Sequence, residues 1–193
     1  MPFNKPTSRK ASKLAFAAAI MGVGAFGLTA YDAPAYAKKE KEQKKQAAEF
    51  SEAFTKAFPP VEEAMKDDSI PKEKILQMIL ETESTVSTPD DQLVFGNSLY
   101  NTALGLKNYE MAGKGMEMML DSGKLPAENI GQYSFTAGQL AYNNRDYPKA
   151  RKRLQEAANR GFDDPELNRL IAQSYVLAND YAGGLNYLNG VVK

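Results

Sequence analysis

Four carboxylate pairs are the residues best placed to do chemistry: Asp67 with Asp68, Glu81 with Glu83, Asp90 with Asp91, and Asp163 with Asp164. Two carboxyls flanking a glycosidic bond can serve as acid and base. Most of these pairs instead fall in polar turns or where a helix is expected to begin, and acids there favour the helix dipole. Ser69-Ile-Pro-Lys72 has the spacing at which a lysine one turn on can activate a serine for acyl transfer. The companion motifs of that chemistry are missing, so Ser69 is expected to cap a helix. Gly123-Lys124 lacks the preceding glycine pattern of a phosphate-cradling loop. The sequence has no histidine and no cysteine. That removes imidazole and thiolate ligands and any histidine base. Met111, Met116, Met118 and Met119 read as adaptable core and neighbouring surface. No catalytic, cofactor or metal-binding residue is assigned, and the expected activity is non-enzymatic.

Binding therefore has to come from the elements themselves. Lys5, Arg9, Lys10 and Lys13 precede a nearly charge-free apolar run from Leu14 to Ala30, and Ala35-Tyr36-Ala37 follows as a small-x-small site. This three-part layout predicts a secretory signal peptide over 1–37, cleaved after Ala37. The run is shorter than the roughly 20 residues a spanning helix needs, and Gly22, Gly24 and Gly27 weaken it, so a retained anchor is the lesser alternative. The chain balances 24 basic against 24 acidic residues, and losing four bases with Asp32 leaves a net charge near −3. Such a balance gives no field that would draw nucleic acid. Without cysteine, an exported domain must be held by packing alone and can carry no lipidated cysteine after its leader.

Residues 38–46, KKEKEQKKQ, contain no apolar side chain and read as a solvated charged linker. In the helical segment 47–87, Phe50, Phe54 and Phe58 stand four apart beside Ala53 and Ala57, an apolar stripe that Pro59-Pro60 redirects. A short turn of helix from Val61 to Lys66 follows. Next comes an amphipathic helix with Ile75, Leu76, Ile79 and Leu80, which Pro71 is expected to open from a first-turn position.

From residue 88 the sequence repeats. Asp146-Tyr147 with Ala150 and Leu154 recurs 34 residues on as Asp180-Tyr181 with Gly184 and Leu188. An upstream copy has Asn108-Tyr109, Ala112 and Met116 at the same offsets, 38 residues before the middle one. The extra four residues are about one helical turn and leave the buried face in phase. A fixed period of this size predicts stacked supersecondary units. Asn108, Asp146 and Asp180 each precede a helix-starting tyrosine as expected caps, and Thr88 with Asp91, like Asp164 with Pro165, gives the same signal for first helices.

On Gly138, Ala141, Tyr147, Ala150, Leu154 and Ala157, residues 88–193 resemble the tetratricopeptide repeat family. In two places the copies depart from its pattern: Gly96, Ser134 and Asn168 stand where an early aromatic belongs, and Tyr100 and Tyr175 replace small residues. The resemblance implies an all-α, right-handed α-solenoid of antiparallel helix pairs, three repeats long and preceded by the signal peptide. It also implies that first helices line a concave groove for a protein or peptide partner. Carried across, the groove residues are Asn97, Asn101, Gln132, Phe135, Gln139, Tyr142, Asn143, Arg169 and Gln173. Their amides can bond an extended backbone, with Phe135 and Tyr142 as apolar anchors; the alternative is an ordinary solvated face.

The last helix carries Leu185, Tyr187, Leu188, Val191 and Val192, and no helix with a polar outer face follows it, which suggests self-association or docking there; the alternative is a chain truncated from a longer protein. The expected role is a protein-binding scaffold or assembly adaptor of the cell envelope, exported to the periplasm of a Gram-negative bacterium. The alternatives are an accessory helical domain of a cell-envelope enzyme system and a carrier of a small hydrophobic ligand in a methionine-lined pocket.

Overall fold

The computed structural model describes residues 48–191; the expected signal peptide over 1–37 and the linker over 38–46 lie outside the described residues. The fold is all-helical. The elements are α1 (Glu52–Ala57), α2 (Pro59–Lys66), α3 (Lys72–Glu81), a 3-10 turn (Glu83–Thr85), α4 (Pro89–Gly105), α5 (Tyr109–Asp121), α6 (Ile130–Asn143), α7 (Tyr147–Asn159), α8 (Pro165–Leu177) and α9 (Tyr181–Val191). Each packs chiefly on its chain neighbours, α4 on α5 and α6 on α7 most closely. No helix among the described residues is long and apolar enough to cross a membrane.

Burial follows chain order. Phe54, Phe58, Val61, Ile75 and Ile79 of α1 to α3 form one cluster with Phe95 and Leu99 of α4. The next joins Tyr100 and Ala103 of α4, Ala112, Met116 and Met119 of α5, and Tyr133 and Leu140 of α6. A third joins Phe135 and Ala141 of α6, Ala150, Leu154 and Ala157 of α7, and Leu167, Leu170 and Ile171 of α8. The phenylalanine stripe packs as its spacing predicts, with Phe54 and Phe58 stacked at 4.5 Å and Pro59 and Pro60 opening α2. Ahead of α3 the detail differs from expectation. Pro71, not a first-turn residue, occupies the N-cap, and Ser69 caps nothing: its Oγ donates to Asp67 Oδ1 at 2.6 Å in the preceding turn. Two short polar side chains two apart satisfy each other locally before either can reach the helix.

The turns between paired helices are three copies of one geometry. Lys107, Arg145 and Asn179 adopt φ of 57°, 62° and 58°. The following N–H, of Asn108, Asp146 and Asp180, donates at 2.9 Å to Ala103, Ala141 and Tyr175 carbonyls five residues back. This is a Schellman closure of the first helix. The same three residues then cap the second helix. The side chains of Asn108, Asp146 and Asp180 accept from the N–H groups of Met111, Lys149 and Gly183 at 3.1, 3.2 and 3.0 Å. One residue thus ends one helix and begins the next, which fixes the tyrosine after it at the first helical position each time.

Gly96 and Tyr100, which depart from the repeat pattern, exchange roles across α4. A Cβ on Gly96 would lie 2.7 Å from Gly115 O, and one on Gly115 would lie 2.6 Å from Tyr100 N. The close crossing of α4 and α5 is therefore made by two glycines. That moves the small residue one turn upstream and leaves room for the buried Tyr100.

Candidate functional site

The nine groove residues predicted from the sequence are carried by three helices, α4, α6 and α8. On α4, Asn101 Nδ2 donates to the Asn97 carbonyl at 2.9 Å and to its Oδ1 at 3.0 Å. Between α6 and α8, Tyr142 Oη donates to Gln173 Oε1 at 3.2 Å. Arg169 Nη1 donates to the same oxygen at 3.0 Å and pairs with Glu166 one turn earlier. Tyr142 is further held edge-on by Tyr147 at 5.7 Å. Gln132, Asn143, Asn101 and Arg169 are exposed, and Gln139, Tyr142, Asn97 and Gln173 are half-buried.

Phe135 is placed elsewhere. It is 7 % exposed, its ring lies 4.9 Å from Phe162, and it belongs to the α6–α8 core. The cause is the turn after α7. Gly161 takes φ of 74° and lets Phe162 N–H donate back to Ala157 O at 3.0 Å, which swings the Phe162 ring over Phe135. Tyr142 is left as the aromatic that this face can offer. The arrangement can present amide donors and acceptors, one phenol and the Arg169 guanidinium.

Several of the other residues singled out in the sequence have structural partners. Asp91 is 0 % exposed and closes a capping box with Thr88, which donates its N–H to Oδ2 at 3.0 Å. Asp91 also accepts from Ser87 N–H and, 40 residues away in sequence, from Ser51 N–H. Burial pushes its carboxyl upward, but the donors at Ser87, Ser51 and Thr88 outweigh burial and hold it below the ordinary carboxylate value. Asp90 accepts from Glu49 N–H at 2.9 Å and pairs with Lys124 at 3.0 Å. Asp164 caps α8, accepting from Glu166 N–H at 2.8 Å. Lys72 lies against Gly105, and Ser69 is turned to Asp67.

Met116 and Met119 are core. Met118 is the one methionine lining a cleft of about 570 Å³ between α5, α6 and α7. Charged Glu110, Lys114, Glu117, Asp121 and Lys149 line that cleft beside Ala137 and Ala141, so it is not an apolar methionine-lined pocket.

Sequence reasoning missed Arg153. From α7 its buried guanidinium reaches Glu117 and Asp121 on α5 and Glu156 on its own helix. Burial would lower its pKa, yet the hydrogen bonds it donates to Glu117 and Glu156 raise it above the ordinary arginine value. An arginine in a basic run, Lys149 to Arg153, looks solvated in one dimension; nothing local marks the acids 32 and 36 residues upstream.

The chain matches no protein-family model, no curated protein and no solved structure.

Proposed function

We propose that this chain is a non-catalytic adaptor of the cell envelope, a tetratricopeptide-like solenoid whose first helices α4, α6 and α8 hold an extended segment of a partner protein. The observation that carries this reading is the Tyr142–Gln173 hydrogen bond. It puts polar groups from two successive first helices on one surface, and the exposed Asn101, Gln132, Asn143 and Arg169 extend that chemistry along α4, α6 and α8. Amides supply both donors and acceptors, so they match a peptide backbone whatever its side chains. The three matching helix–turn–helix closures support the repeat reading, because units of equal geometry stack with a constant operator.

The experiment is site-specific photo-cross-linking in the producing cell. Cross-linkers at Asn101, Gln132 and Asn143 should trap the same partner, and cross-linkers at Lys152 and Arg160 on α7 and its end should not. Equal trapping from both sets, or trapping from the α7 set alone, would put the partner on another face.

A further inference from the structure

Positive charge collects on one face of α7. Arg151, Lys152, Gln155, Asn159 and Arg160 follow one another at helical spacing, and with Tyr175 of α8 they line a cleft of about 520 Å³. Three of these side chains are cations, in a chain that balances 24 basic against 24 acidic residues. The charge is therefore local to this face and not a general basic character.

The one acid in the lining is engaged elsewhere. Glu156 stands four residues after Lys152 and four before Arg160, the spacing at which a helix pairs opposite charges. It turns instead to Arg153, whose Nη1 donates to Glu156 Oε2 at 2.8 Å. Within α7 no other acid lies one turn away: Pro148, Lys149 and Gln155 are the remaining neighbours of Lys152, and Ala157 that of Arg160. Lys152 and Arg160 accordingly enter no ion pair among the described residues. Arg160, at the end of α7, can offset the helix dipole; Lys152, in mid-helix, has no such role.

Arg151 is anchored without being neutralised. Its Nη1 donates to Ser174 O at 2.9 Å, and the guanidinium lies 4.5 Å from the centre of the Tyr175 ring. Neither contact carries a negative charge, and the other N–H groups of the fork remain to be used. A cation fixed in this way has lost its side-chain entropy before a ligand arrives, which favours binding.

We propose that this cleft binds a phosphate-bearing ligand, with Arg151, Lys152 and Arg160 around the anion and the Gln155 and Asn159 amides beside it. Three cations without a counter-ion suit a group that spreads more than one negative charge over several oxygens, which a single carboxylate does not. A free phosphate ester and a lipid headgroup share that chemistry. None of the lining residues belongs to the groove on α4, α6 and α8, so either site can fail without the other.

The chain as its host produces it, titrated with inorganic phosphate at constant ionic strength, should show saturating amide shifts centred on Arg151, Lys152 and Arg160. Lys152→Gln combined with Arg160→Gln should weaken that binding by about tenfold or more, with helical circular dichroism unchanged because both side chains are exposed. Lys74→Gln combined with Lys107→Gln removes the same charge from exposed sites outside the cleft and should leave the affinity as it is. Sedimentation with phosphatidylglycerol vesicles, against phosphatidylcholine vesicles, separates the two sources. Retention on the anionic vesicles that the Lys152→Gln, Arg160→Gln chain loses assigns a headgroup, and phosphate binding without retention assigns a soluble ester. Failure of both probes to bind saturably, or equal weakening by the two double variants, overturns the site.

Discussion

The Asp91 carboxylate at the start of α4 accepts the Ser51 backbone N–H at 3.1 Å, which ties the entry to α1 to the first helix of the repeats. The Ser51 hydroxyl in turn donates to Thr85 O and accepts from Phe54 N–H as the cap of α1. One buried anion thus joins two segments and begins a helix. In Asp91→Asn one oxygen becomes an NH2 group that cannot accept, and the charge that strengthens the remaining bonds is gone. Hydrogen bonds to charged groups contribute about 1.5–3 kcal/mol. Asp91→Asn is expected to cost about 2–3 kcal/mol in urea unfolding, with faster amide exchange at Ser51 and Ser87. Unchanged exchange at Ser51 would show that the tie contributes nothing there.

The same carboxylate sets a pH dependence. Its folded pKa lies below the unfolded value, so its stabilisation is fully present above the ordinary carboxylate range. It is lost as pH falls through the lowered folded value. The stability gap between the natural chain and Asp91→Asn should accordingly be constant near neutrality and close at strongly acid pH. Paired urea titrations at neutral and acid pH check this; a gap that widens on acidification would reverse the sign.

Much of this architecture was legible in the chain because it is local. Caps at Asn108, Asp146, Asp180 and Asp164 and the box at Thr88 and Asp91 are settled by residues within three or four positions. Periodicity likewise located the buried Phe54, Ala112, Ala150 and Leu154. What was not legible depends on partners distant in sequence: Ser51 on Asp91, Arg153 on Glu117 and Phe162 on Phe135. The helical period gives the first groove residues a common face, yet it cannot say that a ring placed by Gly161 covers Phe135. Ser69 failed for a local reason, since Asp67 competes for its hydroxyl.

The three Schellman turns place non-glycine residues at positive φ, and that geometry is costly for lysine and arginine. A Cβ there crowds the carbonyl by about 1–2 kcal/mol, partly offset by the extra chain entropy that glycine loses on folding. Lys107→Gly and Arg145→Gly should each raise stability by about 0.5–1 kcal/mol. Asn179→Gly should gain less, because asparagine tolerates this region. The turns are far apart, so the first two gains should add in a double variant followed by thermal unfolding. A loss at either site would mean that its side chain makes a contact worth more than the strain.

Helical glycines separate by what a Cβ would meet. At Gly115 it would lie 2.5 Å from Gly96 O and 2.6 Å from Tyr100 N, both backbone atoms that cannot turn aside. Gly115→Ala must push α5 off α4, and overpacking of this kind costs about 1–3 kcal/mol. At Gly190 nothing lies within 4 Å, so Gly190→Ala should add up to about 1 kcal/mol of helix propensity. Opposite shifts in unfolding midpoint are the expected result. A stabilising Gly115→Ala would place the α4–α5 crossing elsewhere.

Arg153 tests whether buried charge holds α5 to α7. It is the shared partner of Glu117, Asp121 and Glu156, with its side chain 9 % exposed. Removing one member of such a group leaves the others desolvated without compensation, a loss of several kcal/mol when all are buried. Asp121 is exposed and Glu156 partly so, which lets water recover some of that loss. Arg153→Ala should therefore cost about 2–3 kcal/mol. Arg153→Lys should recover only part of it, because one ammonium cannot reproduce the fork that Arg153 Nε and Nη2 present to Glu117. Once Glu117→Gln has removed the principal partner, Arg153→Ala should cost clearly less, since the surviving amide is cheaper to leave buried than a carboxylate. Full additivity in this double-mutant cycle would reduce Arg153 to a packing stem and remove the ion group as a clamp between α5 and α7.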